Sequence, residues 1–227
     1  MELRLFFFVI LWVRAFATMA QSPVSNGLFP ELSLSYKVNN DWKVLHKIES
    51  QWISYQRLSN ETSRSFKHSL TDFQWFIEYG RHPLMAFAIG YQYRLDGEDV
   101  DSHRSIQQVS FLQRGAVVRW SHRVRTDQTF SRVESPEYRA RYRLKMQLPL
   151  SGQRIDPGEF YLSASNESLW GLQSGIFDYE NRVVTSLGYY FNDANKLETS
   201  IDYRTDRFFN ARLRQQFWFK LSWYINI

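Results

Sequence analysis

The sequence predicts an all-β protein: a closed, antiparallel, up-and-down transmembrane β-barrel of about 10–12 strands. Three observations lead to this fold class. Apolar and polar residues alternate along most of the chain after residue 30, and the last such segment carries its apolar row to the final residue. Cationic side chains fill the polar row of two neighbouring segments. A period of two residues is the pattern of a strand with two unlike faces.

The clearest alternating segment is "YRARYRLKMQLPL", residues 138–150. One face carries Tyr138, Ala140, Tyr142, Leu144, Met146, Leu148 and Leu150. The other face carries Arg139, Arg141, Arg143, Lys145 and Gln147. A barrel in a membrane turns its apolar row to lipid and its polar row to the lumen, whereas a soluble barrel does the reverse. We expect the membrane arrangement, because a row of cations cannot lie unpaired in a dry core.

Similar alternation predicts eleven strands, with turn residues between them. They lie near 31–38, 43–56, 66–80, 84–96, 104–113, 116–130, 138–150, 159–167, 177–191, 196–206 and 211–227. Their connections alternate partly between short turns and longer loops, as in outer-membrane barrels. Bacterial barrels have even numbers of strands. Ten or twelve strands are therefore expected: either residues 21–30 contain a short extra strand, or one predicted strand is false.

The beginning of the chain has the pattern of a secretory signal peptide. Arg4 precedes the nine-residue apolar run 5–13, and the small residues Thr18 and Ala20 follow it. The run is too short to span a bilayer as a helix. We therefore expect residues 1–20 to be a signal peptide and residues 21–227 to form a single barrel domain.

The last predicted strand lies in "RLRQQFWFKLSWYINI". Its apolar row is Leu213, Phe217, Phe219, Leu221, Trp223, Ile225 and Ile227, and Trp218 is an exception on the polar row. Outer-membrane barrels typically end in such an amphipathic strand. With the signal peptide, it predicts the outer membrane of a Gram-negative bacterium, contact with outer-membrane lipid, and recognition of this strand by the outer-membrane assembly machinery.

Seven cations lie on the polar rows of two adjacent predicted strands: Arg119, Arg123, Arg125, Arg139, Arg141, Arg143 and Lys145. Like charges about 4 Å apart repel by roughly 4 kcal/mol at an effective dielectric of about 20. The row therefore needs water or counter-charges. The candidate counter-charges are Asp127, Glu159, Glu167, Glu198 and Asp202. We expect these residues to form a charge network in the barrel lumen.

Three functions remain open from these residues. The leading one is a non-enzymatic outer-membrane barrel, either structural or a narrow solute path. The second is an outer-membrane lipid hydrolase, because His103 and Ser105 lie two apart on one strand face and could supply a base and a nucleophile. The third is a soluble periplasmic barrel that binds an anionic ligand. The scattered histidines predict no metal site, no motif predicts a cofactor, and a net charge of +5 is too small to indicate nucleic acid.

Several segments resemble a known family. "HRSIQQVSF", "WSHRVRTDQTF", "YRARYRLKMQLPL", "NRVVTSLGYYF" and "LETSIDYRTD" are similar to the bacterial domain of unknown function 2490. The resemblance spans roughly residues 30–227, and the arginine-rich hairpin at 119–145 is its most specific part. It implies an outer-membrane β-barrel and carries over no catalytic residue.

Cleavage after Ala20 predicts that the mature protein begins at Gln21. Mass spectrometry of the N-terminal peptide of protein purified from the cell envelope will measure this. Replacement of Ala20 by Arg should leave the precursor uncleaved, because the cleavage site requires a small residue. A mature chain that begins at Thr18 would place cleavage after Ala17 and contradict the prediction.

Overall fold

A computed structural model describes residues 22–58, 61–97, 99–209 and 213–227. The predicted signal peptide, residues 1–20, lies outside the described residues. The described chain is built from β-strands, and it contains no helix. Accordingly, no helix with the length and apolar character needed to cross a membrane is found among these residues.

The described residues form twelve strands in sequence order. They are β1 (Val24–Lys37), β2 (Trp42–Leu58), β3 (Glu61–Ser63), β4 (Lys67–His82), β5 (Met85–Asp96), β6 (Ser102–Arg114), β7 (Arg119–Ser131), β8 (Glu137–Pro149), β9 (Glu159–Gln173), β10 (Ile176–Asn192), β11 (Asn195–Asp206) and β12 (Arg214–Asn226). The short β3 pairs only with the end of β2. All eleven predicted strands are present.

The other eleven strands close into a barrel, so the all-β closed barrel is confirmed. Each strand pairs with its sequence neighbour in antiparallel fashion, and β1 completes the circle by pairing with β12 in parallel. We call this parallel pair the β1–β12 seam. The expectation of ten or twelve strands in a wholly antiparallel barrel was wrong. With strands that run alternately up and down, an odd number leaves the first and last strands pointing the same way, so only a parallel ladder can join them.

The first strand is longer than predicted. It begins at Val24 rather than near residue 31, although Gly27 and Pro30 resemble turn signals. The register with β2 shifts between Asn26 and Gly27. A Cβ atom on Gly27 would lie 1.9 Å from the carbonyl oxygen of Trp52, so only glycine fits this close approach.

The connections lie on two rims of the barrel. The N-terminal rim holds Val24, the short β3, and the ends at which β5 is followed by β6, β7 by β8, β9 by β10 and β11 by β12. The C-terminal rim holds Ile227 and the connections at 38–41, 83–84, 115–118, 150–158 and 193–194. Longer loops predominate on the N-terminal rim, as expected. The exceptions are the long loop at 150–158 on the C-terminal rim and the short turn at 174–175 on the N-terminal rim.

Alternation along each strand separates an outer face from an inner face. On β5, Ile89 points outward with 65% of its surface exposed, whereas its inward neighbour along the chain, Ala88, is 6% exposed. Gln92, on the inner row, is 3% exposed. On β12, the row that includes Phe219 and Trp223 points outward. The barrel is therefore apolar outside and largely polar inside.

A few rings also point inward. Trp218, the exception on the polar row of β12, packs edge-on against Phe29 with ring centroids 6.1 Å apart, and Ile53 completes this small cluster. On the far wall, the Tyr161 ring covers Gly188, its directly paired residue on β10. A Cβ on Gly188 would lie 2.2 Å from that ring, so the glycine lets the tyrosine lie flat on the wall.

Deletion of residues 223–227 should prevent barrel closure. These residues pair with β1 on one side and β11 on the other, and Ile227 exchanges backbone hydrogen bonds with Ser35 and Lys37. Their loss leaves unpaired backbone groups on both neighbouring strands. The measurement is heat-modifiable gel migration, which distinguishes a closed barrel from an open chain. The substitution Trp223→Leu keeps the backbone and should still close; a compact deletion variant would contradict the assigned seam.

Candidate functional site

The interior of the barrel holds a charged cavity of about 550 Å³. Among the described residues, fifteen lysine and arginine side chains and nine carboxylates line it. The seven cations of the predicted charge network are all on its wall: Arg119, Arg123, Arg125, Arg139, Arg141, Arg143 and Lys145. They share this wall because they occupy alternate positions on β7 and β8, which pair directly.

Asp127 is the most deeply buried acid among the described residues, with none of its surface exposed. Its Oδ2 lies 2.6 Å from the Arg141 Nε, and its Oδ1 lies 3.6 Å from the Arg104 Nε. Neither carboxylate oxygen accepts a well-aligned hydrogen bond. The attraction to two guanidinium groups therefore holds this charge inside the wall.

Glu167 bridges two arginines from different strands. The Arg123 Nη2 donates to its Oε1 over 2.5 Å, and the Arg182 Nη1 lies 3.9 Å from its Oε2. Arg182 in turn contacts Glu180 over 2.5 Å. The predicted pairing of Glu167 with the arginine row therefore extends to β10, which the sequence analysis did not include.

Glu198 gathers contacts across the lumen. The Lys145 Nζ donates to it over 3.1 Å, and the Tyr161 hydroxyl donates over 2.8 Å. Asp202 pairs with Arg204 over 2.7 Å, a neighbour on its own strand, rather than with the seven cations. Glu159 is the first residue of β9 and lies apart from the cavity wall, where its carboxylate accepts a hydrogen bond from the backbone N–H of Asp156 in the preceding loop. Its position at the rim end of β9 keeps it out of the network for which it was a candidate.

The remaining predicted cations differ in their partners. Arg139 pairs with Glu137 over 2.6 Å. Arg125 donates to the neutral side chain of Gln108 over 2.6 Å and lies over the Phe76 ring at 5.3 Å. Arg119 and Arg143 make no hydrogen bond or ion pair with any described residue.

A second charged group, missed by the sequence analysis, crosses the β1–β12 seam. Lys220 on β12 contacts Glu31 on β1 over 2.5 Å and Glu49 on β2 over 3.2 Å. Lys47 contacts the same two carboxylates at 3.3 and 2.8 Å. All four residues lie on inward rows, so strand alternation could have identified them once the start of β1 was known.

His103 and Ser105 lie on the outer face of β6 and do not contact each other. The His103 Nδ1 pairs with the Tyr91 hydroxyl over 2.5 Å, and the Ser105 hydroxyl donates to Gln128 over 2.5 Å. The nearby Asp101 does not orient the histidine, since it accepts a hydrogen bond from Tyr93, which lowers the pKa of that carboxyl. The structure therefore does not assemble a nucleophile and its base at these residues.

Metal ligands are also dispersed. In the part of the chain that the structure describes, no group of three or more histidine, cysteine or acidic side chains could hold a metal ion. The acidic segment that contains Asp99 and Asp101 forms part of the connection at 97–101.

Two comparisons with known proteins found a match, one to a solved structure and one to a family. The siderophore receptor PirA from Pseudomonas aeruginosa has a similar chain trace with a TM-score of 0.35 and 11% identity, over 81% of this chain and 35% of the receptor. The chain thus spans about a third of that receptor's length. No curated protein matches the sequence. The family described as "Protein of unknown function (DUF2490)" matches residues 26–211, and the chain therefore belongs to this family.

Proposed function

We propose that the protein is a non-enzymatic outer-membrane β-barrel of a Gram-negative bacterium, and that its charged interior forms a narrow, anion-preferring solute path. Ion pairs across the lumen hold this path nearly closed. The observation that carries the proposal is the reversed polarity of the barrel, which is apolar outside and charged inside.

The outer surface supports a location in lipid. Large apolar side chains lie exposed around the whole barrel, including Ile89, Ile201 and Phe219, each more than half exposed. A soluble protein rarely shows a continuous apolar surface of this extent. The wall strands contain 12–17 residues, and about 9–11 residues suffice for a tilted strand to cross a bilayer.

Aromatic side chains lie at both rims, as at the two interfaces of a membrane. On the C-terminal rim, the Trp42 ring packs at a tilt against the Tyr79 ring, with centroids 4.9 Å apart. On the N-terminal rim, Trp170 lies 6.1 Å from Tyr179. Tyr224 differs from this pattern, since it lines the cavity instead of lying on the outer face at a rim.

The two alternatives have less support. A soluble barrel that binds an anionic ligand would have to leave its apolar rows in water, which costs free energy in proportion to their area. A hydrolase would need a base within reach of its nucleophile, whereas His103 and Ser105 each bond elsewhere. No contact among the described residues favours either function over the barrel in lipid.

The composition of the cavity supports the anion preference. Its lining carries more cations than carboxylates, and the excess lies along β7 and β8. Positive potential in a narrow polar passage attracts anions and repels cations. The ion pairs of Glu167 with Arg123 and of Glu198 with Lys145 join side chains from non-adjacent strands over the same space, so they narrow the passage.

The mature protein should be found in the outer-membrane fraction and should need detergent for extraction, because its outer face is apolar. The measurement is density-gradient fractionation followed by heat-modifiable gel migration. Recovery in the soluble periplasmic fraction without detergent would contradict the proposed location and would favour the soluble barrel.

In planar bilayers, the purified barrel should give a small conductance. The double substitution Arg141→Ala and Arg143→Ala should raise it several-fold, because it removes two long side chains and the nearest counter-charge of Asp127. The matched control is Arg114→Ala, which removes an exposed cation that does not line the cavity. It should conduct as the wild type does. A large conductance in the wild type would contradict closure by ion pairs.

A further inference from the structure

We propose that Arg123, Arg125, Arg141 and Arg143 form a binding site for a phosphate group. We call these four residues the arginine square. The phosphate belongs either to a soluble phosphorylated compound or to the headgroup of a lipid. This site goes beyond the proposed solute path, because it assigns a specific ligand chemistry and does not require the barrel to conduct.

The square is defined by the register of β7 and β8. Arg123 pairs directly with Arg143, and Arg125 pairs directly with Arg141. All four side chains point into the cavity. Directly opposite residues in an antiparallel pair have Cβ atoms about 4.5–5.5 Å apart. Like charges opposite each other destabilise a sheet, so two such pairs in succession need a compensating charge.

Several donors in the square have no acceptor among the described residues. The Nε of Arg123 and the Nη2 of Arg141 are buried, and no described residue accepts a hydrogen bond from them. Arg143 makes no hydrogen bond or ion pair with any described residue. Arg125 is buried and donates only to the neutral Gln108. A buried guanidinium donor without an acceptor costs free energy, so this cluster points to a missing anionic acceptor.

The carboxylates within reach do not neutralise the square. Asp127 is shared between Arg141 and Arg104. Glu167 is shared between Arg123 and Arg182, and Arg182 also contacts Glu180. This part of the wall thus holds six guanidinium groups and only three of the carboxylates that pair with them: Arg104, Arg123, Arg125, Arg141, Arg143 and Arg182 against Asp127, Glu167 and Glu180. The remaining positive charge is concentrated at Arg125 and Arg143.

A phosphate group matches this arrangement better than a further carboxylate. It carries up to two negative charges and three free oxygens, so it can accept hydrogen bonds from several guanidinium forks together. Chloride carries one charge and has no pair of oxygens to accept the two parallel hydrogen bonds of a planar guanidinium group. The cavity of about 550 Å³ has room for a phosphate together with part of the molecule that carries it.

The test uses the full-length barrel, purified in a phosphorus-free detergent, with inorganic phosphate and pyrophosphate as probes. Titration calorimetry measures affinity, and thermal unfolding at constant ionic strength gives a second readout. Phosphate should raise the unfolding temperature of the wild type more than chloride does. The substitution Arg143→Gln should weaken phosphate binding about tenfold or more, because charge-assisted hydrogen bonds are lost.

The variants separate binding from folding. Arg143→Gln removes a cation that has no partner among the described residues, so without phosphate it should be at least as stable as the wild type. If Arg143 only stabilised the fold, Arg143→Gln would instead be less stable than the wild type without phosphate. The control Arg114→Gln removes the same charge outside the cavity and should bind phosphate within about twofold of the wild type. Arg143→Lys keeps the charge without the planar fork and should bind with intermediate affinity.

A second measurement identifies the source of the phosphate. Phosphorus analysis of lipid extracted from the purified protein should show bound lipid phosphate in the wild type and less in Arg143→Gln, if a headgroup fills the site. A soluble ligand predicts no retained lipid and strong binding of added phosphate. Equal binding by wild type and Arg143→Gln, or no bound phosphate of either kind, would overturn the site. A barrel that binds phosphate but is absent from the membrane would overturn the proposed function alone.

Discussion

The structure depends on the ladder that closes β1 onto β12. Every other pair of wall strands is joined through its own turn, but this pair meets only after the chain has travelled around the whole barrel. Without it, two sheet edges would expose unpaired backbone groups, and in hydrocarbon each such group costs several kcal/mol in order of magnitude. The ladder has side-chain support, because Lys220 on one side contacts Glu31 on the other. The Phe29 ring beneath Lys220 and Arg204 adds two cation–π contacts at the same place.

Closure also creates the low-dielectric interior in which the charges interact. A guanidinium on an open sheet would be hydrated, and a surface ion pair would contribute little. Inside the barrel, a buried charge needs a partner, and carboxylates such as Asp127 and Glu198 supply partners to cations on other strands. The partners are unevenly distributed. Near the seam, the two positive charges of Lys47 and Lys220 are balanced by the two negative charges of Glu31 and Glu49. On β7 and β8, the positive charges outnumber the carboxylates.

The sequence predicted the strands well because alternation is a local property. It was less successful where polar residues lie on the outer face. Strand β9 was expected to end near residue 167, because Asn166 and Ser168 interrupt the apolar row. In the structure it continues to Gln173. Those two residues find partners on β10, where Asn166 bonds to Asn181 and Ser168 to Tyr179. Partners across the lumen were predicted only in part: Glu198 contacts Lys145, whereas Asp202 pairs with Arg204 on its own strand, which alternation alone does not distinguish.

The parallel seam also determines how the two ends of the chain are related. In a barrel with an even number of strands, both ends leave from the same rim, and a short linker can join them. Here Val24 and Ile227 lie at opposite rims, separated by the full length of β1. A circularly permuted barrel would therefore need a linker that runs along the wall or through the lumen. For a barrel that crosses a bilayer, peptide tags attached before Val24 and after Ile227 would report on different compartments.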